Sequence, residues 1–282
     1  MKSIRNIITK MFNFAAQDSR AKSGFLNVNI PAAGIELESN EFNDYLKTRF
    51  DEGTAKKVIA AFEQINLPLP KNGDEFLQGT EGGLMFLSKY GLVLRIEDTN
   101  TRKSKSGYAS DRINDSAFIL KPIASIDCGK AVIELCPGTK LEENESNVAF
   151  LFHKLQAQNI NYWDDKICNS GVLPIKTPSF PNGVPVVIDR LAARRLFSKT
   201  KKVKCALVRE ADHAQEVLYA PLRKAFLEGW QDPSKMGSFW SKCEKYVAKG
   251  KLVAGWEFDR PRMDKAKGAK ITAGKYGARL QP

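Results

Sequence analysis

The chain has no apolar run near the roughly 20 residues that a membrane-spanning helix needs; its longest apolar stretches are short and bounded by charge. A soluble protein with no transmembrane segment is the expectation. It has only two histidines, His153 and His213, and five cysteines with no Cys-x-x-Cys pair among them. That spacing argues against a zinc site of the usual Cys/His kind. An odd, scattered set of cysteines also argues against a disulfide framework, so a cytoplasmic or other reducing compartment is expected.

Acidic residues run short, with 32 Asp+Glu against 44 Lys+Arg and a net charge of +12. The excess gathers late: from Lys199 to Pro282 there are 19 basic and 9 acidic residues. Such a half suits an acidic partner, or equally a lysine-rich solvated surface. Nucleic acid is the disfavoured partner, because no reader motif is present and the aromatics are spaced as core residues.

The first segment, MKSIRNIITKMFNFAAQ, interleaves Lys2, Arg5 and Lys10 with apolar residues. Lys10 interrupts what would be the apolar part of a secretory signal, so the spacing reads as a short amphipathic helix. A packing arm is preferred to a membrane-surface anchor or a translocation signal. Residues 18–40 read as a linker. Helical periodicity follows in FNDYLKTRF and in GTAKKVIAAFEQI, where Val58, Ile59, Phe62 and Ile65 form one stripe. NLPLPKNG ends it.

From Phe76 the pattern changes to strands. FLQGTEGGLMFLSKYGLVLRIED predicts two or three of them, with glycine-rich and KYG turns between. The polar stretch 98–107 predicts a loop, ASDRINDSAFILKPI a helix, and KAVIELC a strand ended by Pro137-Gly138. A helix over 143–159 turns Val148, Leu151, Phe152 and Leu155 inward. Then come a loop, a turn-rich insert over 173–183 and the strand VPVVID. A mostly helical remainder follows, with Phe226, Trp230, Phe239, Trp240 and Tyr246 in its core. The tail 268–282 is rich in Gly and Lys. The expected class is α+β.

The order of elements gives meaning to NINYWDDKICN, Asn159 to Asn169. Phosphoryl transfer needs a carboxylate beside the attacking hydroxyl, a nearby cation for phosphate charge and an oxygen ligand for magnesium. Asp164, Lys166 and Asn169 stand in that order, with Asp165 a competing choice for the base. The segment resembles the protein-kinase catalytic loop, although Tyr162 and Trp163 stand where His and Arg are usual. VPVVIDRLAARRL resembles the strand and metal-binding turn that follow it in that family. Asp189 takes the second metal position, and Arg190 and Leu191 replace the usual Phe and Gly.

What the resemblance implies is a two-lobed fold, with a small antiparallel-sheet lobe and a mainly helical lobe, binding ATP and Mg2+. Residues 1–74 would be an extension, 75–138 the small lobe and hinge, and 139–282 the helical lobe with the basic tail. Asp164 and Lys166 would be catalytic, and Asn169 and Asp189 metal ligands. Gly79, Gly82 and Gly83 would lie in the phosphate-covering loop. Arg95 would stand where LVLRI replaces V-A-I-K, with Asp111 or Asp115 on the next helix as its acidic partner. The backbone from Glu134 to Cys136, in the segment joining the lobes, would meet the adenine edge. The activity implied is transfer of the γ-phosphoryl group of Mg-ATP to a hydroxyl, on a protein substrate. A pseudokinase scaffold and a kinase-fold nucleotidyltransferase are the alternatives. The compact span suits bacterial and secreted-effector kinases, so delivery into a host cell fits the reducing compartment.

Overall fold

The computed structural model describes residues 25–31, 34–36, 40–70, 76–78, 82–99, 116–141, 145–158, 160–162, 170–188, 193–195 and 205–253. The expected N-terminal amphipathic segment and the Lys-rich tail lie outside them.

The chain begins with strand β1 (Phe25–Asn27) and two helices, α1 (Glu41–Arg49) and α2 (Glu52–Gln64). Asn40 caps α1, its side chain accepting from the Asn43 amide at 2.9 Å, and Asp51 caps α2 by accepting from the Thr54 amide at 2.8 Å. Each cap satisfies an amide that has no partner inside its helix. Phe42, Tyr45 and Leu46 of α1 and Val58, Ile59 and Phe62 of α2 are buried. Spaced three and four apart, they turn one stripe of each helix inward.

Next come β2 (Phe76–Gln78), β3 (Gly82–Leu87), β4 (Leu92–Asp98), β5 (Ala124–Asp127) and β6 (Ala131–Pro137). With β1 they form one sheet in the order β1-β5-β6-β4-β3-β2, antiparallel except for β1 beside β5. The turn between β3 and β4 needs Gly91: its φ is +62°, and a Cβ there would press on Val247 and Leu252.

Strand alternation divides the sheet. Leu92, Leu94 and Ile96 of β4, with Ile133 and Leu135 of β6, enter the larger core; Val93, Arg95 and Glu97 and the β6 residues Val132, Glu134 and Cys136 take the opposite face. The larger core is covered by α1, α2 and two helices from the far end of the chain, α4 (Ala206–Gln231) and α5 (Met236–Ala248). Trp240 Nε1 donates to the Ile65 carbonyl at 2.7 Å, tying α5 to the end of α2. The expected N-terminal extension and the expected C-terminal helical half therefore meet over one sheet face.

Between the sheet and α4 the chain forms β7 (Lys140–Leu141), α3 (Glu145–Ala157), β8 (Ile160–Tyr162), β9 (Ser170–Leu173), β10 (Val184–Val187) and β11 (Ala193–Arg195). Strands β7, β9 and β10 make a three-stranded sheet, and β8 pairs with β11. A second core gathers Leu151, Leu155, Ile160, Leu173, Val184 and Val186 with Cys136 of the first sheet. Ala211 and Ala214 of α4 belong to this second core, while Leu218, Leu222 and Phe226 of the same helix belong to the first.

The fold is α+β, as expected. Two assignments are corrected. The described part of the expected helix over 109–123 is not helical: Phe118 to Leu120 lie along β10, with a parallel bridge from Ile119 to Val187. Ala117, Phe118, Ile119 and Leu120 are all buried, a continuous run that suits a covered strand-like segment better than one helix face. Residues 25–27, expected within a linker, form β1 instead.

Candidate functional site

The second face of the large sheet concentrates charge. Arg95 and Glu97, two residues apart on β4, share that face, and Arg95 Nη2 lies 3.1 Å from Glu97 Oε1. The side chains are 14% and 5% exposed, so the pair is shielded from water. Removing one member of such a pair costs about 3–5 kcal/mol, because the other charge is left buried. Directly opposite Arg95 on β6 is Glu134, which is fully buried; Ser125 of β5, opposite Glu134 on the other side, places its Oγ 3.4 Å from Glu134 Oε1. Arg95 Nη1 also donates to the carbonyl of Ile188 at 3.0 Å. Ile188 directly precedes Asp189 in the chain.

Asp164, Asp165, Lys166, Asn169 and Asp189 lie outside the described residues, as do Gly79, Asp111 and Asp115. The strands on either side of them are described. The chain leaves β8 at Tyr162 and enters β9 at Ser170, and it leaves β10 at Ile188 and enters β11 at Ala193. Strand β8 pairs with β11, and β9 pairs with β10 with Ser170 opposite Val187. Two stretches of chain thus start and finish at paired strands. Opposed residues in an antiparallel ladder have Cα atoms about 4.5–5.5 Å apart.

Two expectations about backbone are corrected. Gly82 and Gly83 do not lie in a loop; they open strand β3, paired with Glu97 and Ile96. A Cβ on Gly82 would strike the Ile96 carbonyl, and one on Gly83 would strike the Phe76 ring. Close strand packing explains both glycines. Glu134 and Cys136 do not lie in a connecting segment either. Both belong to β6, Glu134 between Arg95 and Ser125 and Cys136 opposite Val93, and the strand ends at Pro137. Their backbone is inside the sheet, where an adenine edge cannot reach it. The Glu134 carboxylate is the feature of chemical interest there, not its main chain.

The insert between β9 and β10 is a docked hairpin loop. Thr177 and Phe180 exchange backbone hydrogen bonds of 3.1 Å, and the Phe180 ring packs edgewise against Phe118 and Phe150. Glu210 of α4 accepts from the Ser179 amide at 2.9 Å and its hydroxyl at 2.6 Å. The hydrogen bonds from the Ser179 and Thr177 side chains hold the Glu210 carboxyl below its usual range. The loop is anchored to the helix that spans both cores.

Sequence reasoning found Arg95 but missed Glu97 as its partner. The signal was available: period-two alternation in LVLRIED puts Arg95 and Glu97 on one face, and Glu134 is the lone charge within an apolar strand. Among the described residues no group of three or more His, Cys, Asp and Glu side chains gathers to hold a metal. A shielded guanidinium fits an anionic ligand such as a phosphate. Two carboxylates on the same face fit it better when a cation accompanies the phosphate. No helix among the described residues is long and apolar enough to cross a membrane. Compared with protein-family models, curated proteins and solved structures, the chain matches none.

Proposed function

We propose that this chain is an atypical, two-lobed kinase-like phosphotransferase that uses Mg-ATP. The observation that carries the reading is the hydrogen bond from Arg95 to the Ile188 carbonyl, which links the proposed phosphate-binding cation to the residue before the proposed metal ligand Asp189. Two further observations support it. Counted from the glycine-bearing hairpin, Arg95 is on the third strand of an antiparallel sheet, where kinases carry their phosphate-binding lysine. The stretches containing Asp164, Lys166 and Asn169, and Asp189, each join the same two strand pairs.

On this reading Asp164 orients the acceptor hydroxyl and takes its proton. Lys166 and Arg95 meet the charge on the transferring group. Asn169 and Asp189 would hold Mg2+, which when bound offsets phosphate charge. The acceptor class proposed is a protein hydroxyl, in a reducing compartment. Purified protein is expected to gain thermal stability with Mg-ATP, and Asp189→Ala is expected to lose that gain. Asp164→Ala is expected to keep nucleotide binding while transfer of γ-labelled phosphate falls by a factor of about 100 or more. Full transfer by Asp164→Ala removes the residue from the mechanism, and no stabilisation of the parent chain removes the nucleotide.

The engagement of Arg95 favours a second reading, a pseudokinase scaffold. Its guanidinium already meets Glu97 and the Ile188 carbonyl, so a phosphate must share or displace those contacts. A chain that neither binds Mg-ATP nor transfers phosphate fits that reading. Transfer from α-labelled but not γ-labelled ATP identifies a nucleotidyltransferase.

A further inference from the structure

Arg95 has an acidic partner, Glu97, on its own strand. In protein kinases the phosphate-binding lysine pairs with a glutamate on a separate helix, and moving that helix controls whether the pair forms. Here Arg95 and Glu97 are spaced i and i+2 on β4, an interior strand with β3 on one side and β6 on the other. At about 3.3 Å of rise per residue their Cα atoms are about 6.6 Å apart, a span that the two long side chains close. Once the sheet has formed, their spacing has no independent freedom. The pair is also covered, and its cation reaches across to the Ile188 carbonyl on the segment leading out of β10.

We infer that Glu97 is a positioning residue, whose carboxylate holds the Arg95 guanidinium against the segment leading to Asp189. The sheet itself thus supplies a fixed acidic partner for the phosphate-binding cation. The inference rests on the phosphotransferase reading and specifies how that site is regulated: its cation is assembled whenever the protein is folded. Glu134, opposite Arg95 in the ladder, places a second carboxyl group on the same face.

The test uses the full chain, Glu97→Gln and Glu97→Asp, titrated with Mg-ATP, Mg-ADP and adenosine. The aspartate variant keeps the charge but withdraws it by one methylene, and it serves if the glutamine variant fails to fold. Expected are an Mg-ATP dissociation constant raised about tenfold or more and an adenosine constant within about twofold of the parent. In nucleotide-free protein, hydrogen exchange in the peptide from β10 to β11 is expected to quicken in Glu97→Gln and in Arg95→Lys. The double variant is expected to be no faster than the quicker single one. If the parent binds and transfers phosphate while the Glu97 variants keep its Mg-ATP affinity, the positioning role is overturned and the phosphotransferase reading stands. Equal losses of ATP and adenosine affinity also overturn it, since they report general damage. A parent chain that binds neither ATP nor ADP overturns both.

Discussion

Cys128 and Cys243 are buried, and desolvation pushes each thiol up to about 12, where almost no thiolate forms at neutral pH. Cys136 is buried between the sheet and the second core. Cys205 differs. It precedes α4, is partly exposed, and its thiol is lowered by hydrogen bonds from the Leu207 and Val208 amides, with smaller contributions from Lys154 and Arg209. Of these four, Cys205 is expected to react first with iodoacetamide at pH 7–8, and the other three only after denaturant is added. Mass spectrometry of the digested protein reads the order, and labelling of Cys128 ahead of Cys205 contradicts it. At this scale the sequence was partly legible. It marked the cysteines as unpaired and Arg95 as chemically placed, but it could not show that Glu134 points its carboxylate toward Ser125. That depends on which strands neighbour β6, a non-local fact that no window of sequence contains.

Helix α2 starts at Asp51, where one carboxylate does two jobs. It accepts from the Thr54 amide and lies 2.8 Å from Lys130 in the turn between β5 and β6, fastening the helix to the sheet. The Lys130 and Thr54 hydrogen bonds bring its carboxyl from 3.8 down to about 2. A depressed folded value means that the contribution is complete above about pH 4 and fades as pH falls toward 2. Asparagine at this position keeps an N-cap acceptor and loses the ion pair. Asp51→Asn is therefore expected to lower the unfolding temperature by about 1–3 °C between pH 5 and 8, with the gap closing toward pH 2. Asp51→Ala, which loses both, is expected to lower it by about 2–5 °C at pH 7. Thermal melts across that range decide it, and a gap that widens in acid overturns the assignment. Helices α1 and α2 and strand β4 were legible because their apolar periodicity matches the surface each one buries, α3 through Leu151 and Leu155, and β6 and β10 as short apolar runs buried throughout. Strand β1 and the segment 117–120 were not. A three-residue edge strand has no measurable period, and a buried run that bridges to β10 carries the same residues as a buried helix.

The whole molecule depends on α4. Its first turns reach the second core through Ala211 and Ala214, and its later turns fill the first through Leu218, Leu222 and Phe226. Gln215, between them, is buried and donates to the Ala117 carbonyl, while Asp212 accepts from Lys121 at 2.9 Å. One rigid element shared by two cores couples their stabilities, so local opening of one draws on the other. This linkage could not be read from sequence, where α4 was part of a mostly helical remainder with aromatic core residues. Phe226 is fully buried, 5.0 Å from the Phe239 ring and 6.0 Å from that of Trp230. Phe226→Ala is expected to cost about 3–5 kcal/mol. Hydrogen exchange is then expected to quicken in β9 and β10 as well as in β4 and β6, although Phe226 belongs only to the first core. Exchange that rises in the large sheet while β9 and β10 keep their protection means that the two cores open independently. In that case the Arg95 to Ile188 hydrogen bond, which crosses between them, could not hold the proposed site together.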